Sequence, residues 1–380
     1  MIMSRTEMNQ EIAALLGLTP SNTNSAAEKA QSRGKADTQM ALSLIFFSDV
    51  RPELDDRERY QLVRDLTRYG DEQGFEAVYL PERHFNEFGA IFPNAAVMAA
   101  SLIPETRHIR FRTAGISLPL HHPAEVVEWW AMNDILSGGR VDLGFGSGWN
   151  KPDFIYAPDN YARRKEQLTE QIETVKRLWR GETLSFAGPE GEMFSVSVFP
   201  RPLQKTLTVW MLVAQNDRGF IEAGKQGYHL FTMLYGNDLS VLADKIALYR
   251  QARDEAGLDP AAGRVTLMLH TLIGASKSWV HKAVETPFKA YIKSTLAGHL
   301  QAQNRNHFDA AANQQILDYA WQRYFEKGAL FGSVADGRNM LDQAVAAGVN
   351  EVACLMDFGV DHTLIHQSLP YLSQLKYHYV

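Results

Sequence analysis

The order of apolar runs predicts an α/β fold, a (β/α)8 TIM barrel. From Leu42 onward, strand-like runs alternate with helix-like ones, and eight strand candidates stand in β-then-α order. These runs are continuously apolar rather than alternating, as burial on both faces of a parallel sheet requires. Eight such units close into a barrel packed with branched side chains. An open doubly wound sheet shares the local pattern and is the alternative.

"LSLIFF" is the first strand, followed by a helix from about Asp56 to Gln73 with Gly74 as its stop. "EAVYLP" is the second, with a helix through "NAAVMAASLI". "IRFRTAGISLPL" is the third, and its helix, about Ala124 to Leu136, closes at "SGGR". "VDLGFG" is the fourth, leading to a loop and a long helix near Tyr161 to Trp179. "TVWMLVA", "YHLFTM", "VTLMLHTLIG" and "NEVACLM" supply the rest. Two stretches break the rhythm. "TLSFAGPEGEMFSVSVFPRP", after strand four, reads as a hairpin with a Pro-Glu-Gly turn. About Lys277 to Phe331 reads as a helical insertion before strand eight.

Residues 39–380 are expected to be the barrel domain and residues 1–38 a flexible N-terminal arm. In the arm, "EIAALLGL" can form two helical turns before the polar linker "TPSNTNSAAEKAQSRGKADTQ". It is either a frayed terminus or a docking arm for a larger assembly. The formal charge of −6 is modest and spread out, so no nucleic-acid surface is expected. The single cysteine, Cys354, excludes a disulfide framework and reads as a small buried hydrophobe in "EVACLM". Neither a signal peptide nor a membrane span is recognisable, so a soluble cytoplasmic protein is expected.

Barrel chemistry gathers at the C-terminal ends of the strands. The second strand ends in "PERHF", presenting Glu82, Arg83 and His84 beside Phe85. Small Ala114 and Gly115 interrupt the third strand, either to let a flat ligand reach the backbone or to form a packing bulge. His121 and His122 precede Pro123 and suit a helix cap or a ligand contact. "GFGSGWNKPDF" places Gly144, Gly146 and Gly148 near Trp149 and Asn150. A dinucleotide turn would need a third glycine two residues further on and a helix at once, so these glycines read instead as a floor for an aromatic ring. After the fifth strand, Gln215, Asn216, Asp217, Arg218 and Gly219 open a short helix, a start that suits phosphate or a plain N-cap. The spacing of His84, His122, His270 and Glu82 demands no metal, and "FGSG" lacks the nucleophile-elbow pattern.

Taken together, "GFEAVYLPERHFNEFG", "LPLHHP" and "SGGRVDLGFGSGWNKPDF" resemble the bacterial-luciferase-like flavin monooxygenases over about Leu42 to Lys376. "LSGGR", "NYARRKEQLTEQIETVKRLWRGE", "FPRPLQ", "KIALYRQARDEAG" and "RVTLMLHT" resemble more narrowly the branch found with polyketide and nonribosomal-peptide synthases. The resemblance implies a barrel that binds reduced FMN, reacts it with molecular oxygen and delivers one oxygen atom to a small-molecule or carrier-protein-bound intermediate of natural-product (antibiotic) biosynthesis. It implies a separate flavin reductase, since no nicotinamide fingerprint is present, and a homodimer.

By position it makes His84 the acid–base group, with Arg83 and Glu82 beside it. Ala114-Gly115 becomes a non-prolyl cis peptide under the flavin ring. Val213, Gln215, Asn216 and Gly219 fall at the cofactor together with Ser147, Trp149 and Asn150, with Arg218 as the added cation. Phe47, Phe85, Trp149 and Met233 become pocket walls, and His122 and His270 further substrate-pocket residues. There are departures. Arg83 replaces the first of luciferase's two adjacent histidines and cannot shuttle a proton. Ser147 replaces its phosphate-binding arginine, and Asn150 stands where branch relatives carry histidine. The competing expectations are a deazaflavin-dependent dehydrogenase on the same barrel and a non-catalytic flavin-binding scaffold.

Overall fold

A computed structural model describes residues 40–47, 51, 53–85, 91–234, 237–302 and 310–379, the side chains of 295–302 and 310–316 excepted. The expected arm, 1–38, lies outside the described residues. The chain divides into two compact units, Ser43–Leu212 and Val213–Val380 with the segment before Ser43.

In the first unit, β1 (Ala41–Ile45), β2 (Ala77–Leu80), β3 (Arg110–Thr113), β4 (Ile116–Ser117), β5 (Val141–Gly146) and β8 (Val209–Leu212) run parallel. The antiparallel pair β6 (Leu184–Ala187) and β7 (Met193–Val196) is the hairpin expected after the fourth strand. In the second unit, β9 (His229–Met233), β10 (Val265–Ile273), β11 (Leu330–Gly332) and β12 (Glu351–Leu355) are again parallel. The hydrogen-bonded order is β11-β10-β12-β1-β2-β3-β5-β8-β9, and β9 also pairs with β10. An open sheet has two unpaired edges; here the order returns on itself, and eight parallel strands close a barrel.

Local chemistry sets the helix ends. The first, α1 (Asp56–Glu72), starts at a capping box: Glu58 N–H donates to Asp55 Oδ1 at 2.9 Å, and Asp55 N–H to Glu58 Oε2 at 3.0 Å. It stops before Gly74, whose φ of +68° ends the helical run. Next, α2 (Ala95–Leu102) is capped by Asn94, and α3 (Pro123–Ser137) by His122, with Pro123 in its first turn and left-handed Gly138 at its end. The others are α4 (Arg164–Trp179), α5 (Asp217–Lys225), α6 (Leu239–Glu255), α7 (Lys277–Ala302), α8 (Ala310–Arg323), α9 (Val334–Ala346) and α10 (His362–Lys376). Among the described residues no helix is long and apolar enough to cross a membrane.

The third strand is split into β3 and β4 at Ala114-Gly115, the interruption that the two small residues suggested. Two further features were not expected. The segment expected as a helical insertion ends in a strand, because β10 outruns its neighbour: Thr266 to His270 pair with β12, and Thr271 to Ile273 are left to pair with β11. The apolar third strand also carries two arginines at its start. Arg112, almost wholly buried, donates to Asp142 Oδ2 (2.9 Å), Glu76 Oε1 (3.1 Å) and the Tyr79 hydroxyl (3.1 Å), and lies over the Trp210 ring. Arg110 grips the same Asp142 at 2.7 Å. Burying these charges is tolerable because each has its counterion and hydrogen bonds. The network sits at the N-terminal ends of β3 and β5, away from the strand tips. Cys354, on β12, is fully buried, and burial pushes its thiol up to about 12.

Candidate active site

The tip of β2 gathers the charged groups expected there. Glu82, 6% exposed, is shared by two imidazoles. Its Oε1 lies 2.5 Å from His121 Nε2 and 3.2 Å from His84 Nε2, and its Oε2 accepts the Ser117 N–H at 2.7 Å. Burial alone pushes the Glu82 carboxyl up. The hydrogen bonds from His121 and His84, the charge of His121 and the Ser117 N–H more than offset this, bringing it down to about 2. His121 is raised: burial opposes its charge, and the hydrogen bond and charge of Glu82 prevail.

The kink between β3 and β4 makes this arrangement possible. It aims the Ser117 N–H at Glu82, and the 3-10 turn Leu118–Leu120 then delivers His121. Gly115 has φ +105°, and a Cβ there would lie 2.3 Å from Leu212 Cδ2. Only glycine fits. The cis bond expected at Ala114-Gly115 is absent; among the described residues the cis peptide is Phe199-Pro200. Gly115's positive φ turns the chain through a trans bond instead.

Aromatic rings surround the tip. The Arg83 guanidinium lies over Phe47 (5.1 Å) and Trp149 (5.9 Å). Phe85, at φ +52°, sits 5.8 Å from the His84 ring and 5.4 Å from Tyr156, which itself stands 5.2 Å from His84. Such a conformation is uncommon for a bulky residue and marks a strained tip. Phe47 is buried, as a wall residue should be, whereas Phe85 and Trp149 are 58% and 45% exposed.

The loop after β5 brings in a carboxyl that motif reasoning missed. Asn150 Nδ2 donates to Asp153 Oδ1 at 2.5 Å. Burial raises the Asp153 carboxyl, against the Asn150 bond and the nearby charges of His84 and Arg83. Ser147 is half-buried on this loop. A Cβ on Gly144 would strike the Thr113 carbonyl at 2.3 Å, so glycine there serves the close packing of β3 on β5.

His122 is not with the others. Its Nδ1 accepts the Ala124 N–H at 3.3 Å, and its ring packs on Phe186 of the hairpin, exposed to solvent. His121, its neighbour, is the one that reaches Glu82. Both histidines precede Pro123, and the choice between them depends on where the 3-10 turn ends.

In the second unit, the segment after β8 forms the short helix α5. Asn216 caps it, its Oδ1 accepting the Arg218 N–H at 3.0 Å and its carbonyl the Gly219 N–H at 2.9 Å. Lys245 Nζ donates to the Gln215 carbonyl at 2.7 Å and pairs with Asp217. Gly219 is obligatory, since a Cβ would lie 2.7 Å from Val213 Cγ1. Gln215, Asn216 and Arg218 are exposed. The cap thus uses helix N–H groups that a phosphate would need, leaving side chains, Arg218 first, to meet an anion.

Elsewhere in that unit, His270 is buried among Tyr291 (4.7 Å), Phe288 (4.9 Å) and Phe358 (5.5 Å). Burial brings it down to about 3, so it is neutral, and its Nε2 has no hydrogen-bond partner among the described residues. Met233 ends β9 in register with Met268 on β10. Among the described residues no group of histidine, cysteine and acidic side chains is arranged to hold a metal ion.

Comparison with known proteins gives the family and the fold. The oxygenase component of the flavin-dependent trigonelline monooxygenase of Acinetobacter baylyi is 25% identical over 58% of this chain. The match spans 61% of that relative's own length. The monooxygenase RslO1 from Streptomyces bottropensis shares the fold, with a TM-score of 0.73, 21% identity, and coverage of 90% of this chain and 100% of its own. So does the oxygenating constituent of 3,6-diketocamphane monooxygenase from Pseudomonas putida, in complex with FMN: TM-score 0.71, 16% identity, coverage 88% and 97%. The luciferase-like monooxygenase family profile matches residues 40–351. A closed parallel barrel matched by that profile over residues 40–351 places the chain plainly: it belongs to the luciferase-like monooxygenase family.

Proposed function

We propose that the protein is an FMN-dependent monooxygenase that places one atom of molecular oxygen on an organic intermediate of natural-product biosynthesis. The reaction is hydroxylation of a carbon or insertion beside a carbonyl, on a polyketide or peptide held by a carrier protein. The observation that carries the proposal is Glu82 bound to His84 at a strand tip ringed by aromatic faces. A flat conjugated ring fits such a tip, because Trp149, Phe85 and Tyr156 offer π surfaces and Arg83 a delocalised cation. Ala114 and Gly115 lie beside it on the β3–β4 kink. Val213, Gln215, Asn216, Arg218 and Gly219 are assigned to the cofactor phosphate, with Arg218 supplying the charge. Reduced FMN, when bound, supplies the electrons that activate oxygen.

The chain's own part is proton control and water exclusion. His84 donates its Nε2–H to Glu82, so Nδ1 is left to hold or release a proton toward the reacting atoms. Arg83 stays cationic and steadies negative charge on oxygen. With the cofactor lying against them, the aromatic faces would close the reacting centre to water. A separate reductase supplies the flavin; the naming of the trigonelline relative as an oxygenase component supports this. The protein acts as a homodimer through α2 and α3, whose Val97, Met132, Ile135 and Leu136 are exposed around the Asn133-to-Ala96 hydrogen bond that joins the two helices.

The test is mass spectrometry of acyl-carrier-bound candidates incubated with reduced FMN and 18O2. A gain of one labelled oxygen is expected. Hydride transfer from a reduced deazaflavin without oxygen uptake would replace the proposal with a dehydrogenase.

A further inference from the structure

The shared carboxylate at the β2 tip has a use beyond orienting one histidine. Glu82, His84 and His121 are nearly closed to solvent, their side chains 6%, 7% and 13% exposed. Because Oε1 faces both Nε2 atoms, each ring carries its first proton on Nε2 and exchanges its second at Nδ1. Glu82 stays ionised across any working pH, so one buried negative charge faces two groups able to become cations. A second imidazolium there would be a buried charge without its own partner, which is costly.

The outer surroundings of the two rings differ. His121 Nδ1 stands 3.9 Å from Glu125 Oε2, a half-exposed carboxylate on α3, and its ring meets Trp129 at 5.5 Å. His84 faces the rings of Phe85 and Tyr156; the charges near it are Arg83, on its own segment, and Asp153, on the loop after β5. Glu82 and Glu125 both favour a proton on His121. His84 has Glu82 and Asp153, but also the opposing cation of Arg83.

We propose that His121 is a positioning residue whose cationic ring compensates Glu82 and thereby sets the pH at which His84 takes up its second proton. With His121 charged, part of the Glu82 charge is already met, and less of it acts on His84. With His121 removed, the whole charge of Glu82 acts on His84. The inference rests on reading His84 as the acid–base group, but its test needs neither flavin nor substrate.

The measurement is a pH titration of histidine ring carbon resonances in the full-length protein, the His84 signal identified by its loss in His84→Gln. His121→Gln keeps a donor on Glu82 but no charge, and should move the His84 midpoint upward by about one pH unit, a tenfold change in proton affinity. His121→Arg keeps the charge and should leave the midpoint within ~0.3 unit of the parent. Glu125→Gln, at an exposed position that spares the fold, should raise it by a smaller amount, because His121 then holds its proton less firmly. A His84 midpoint unchanged in both His121→Gln and Glu125→Gln overturns the proposal. So does an equal shift in His121→Gln and His121→Arg, which marks a structural role alone. Full turnover by His84→Gln would instead strike the acid–base reading and leave the titration result standing.

Discussion

His84 and Glu82 were legible as residues because their chemistry is written contiguously in "PERHF". Asp153, and the choice of His121 over His122, were not, because each depends on a turn that no local pattern specifies. Replacing His84 by Ala should lower turnover by about 10²- to 10⁴-fold, the usual worth of a positioned acid–base group, with little change in FMN affinity. Steady-state assays and a flavin titration separate the two, and undiminished turnover would remove the assignment.

Two buried groups make acid stability readable at the same scale. The Glu82 carboxyl is depressed from 4.5 to about 2, so its contribution is full above 4.5 and lost as pH falls toward 2, on the order of 3 kcal/mol in all. His270 is depressed from 6.5 to about 3; the unfolded chain takes up a proton below 6.5 that the native chain refuses, so stability also drains as pH falls through that window. His270→Phe should therefore move acid unfolding, followed by tryptophan fluorescence, to lower pH. Glu82→Gln should flatten the stability slope below pH 4.5.

At the scale of elements, caps and breakers were readable and backbone pairing was not. The ends of α1 and α3 follow from Asp55, Gly74, His122 and Gly138. The pairing of β11 with the overhang of β10 depends on register, which apolar runs do not encode. Gly115 joins the two kinds of information. Gly115→Ala should cost about 1–3 kcal/mol for its φ, with more from the clash with Leu212, and should loosen Ser117 from Glu82. Urea unfolding measures the first effect, and hydrogen exchange at the Ser117 amide the second. For α5, Arg218→Ala should weaken FMN binding by about one order of magnitude, as loss of a charge-assisted phosphate contact does. Equal affinity would place the phosphate elsewhere.

For the molecule as a whole, β-then-α order could not distinguish a closed barrel from an open sheet. The difference is one further pairing, β9 with β10, between strands whose sequences would look the same in either fold. The apolar face on α2 and α3 was likewise invisible in advance, since α3 is apolar nearly all round and only the fold decides which side is covered. Leu136→Glu should convert the proposed dimer to a monomer in sedimentation velocity, and a parent protein already monomeric would dismiss that assembly.

Cys354 offers a practical return. It is the chain's one thiol, sealed inside β12 and held protonated, so an alkylating dye added to the native protein should find nothing to modify. A cysteine introduced at exposed Ile155, next to Tyr156, would then be the sole target, and a fluorophore there would report cofactor arrival without background labelling.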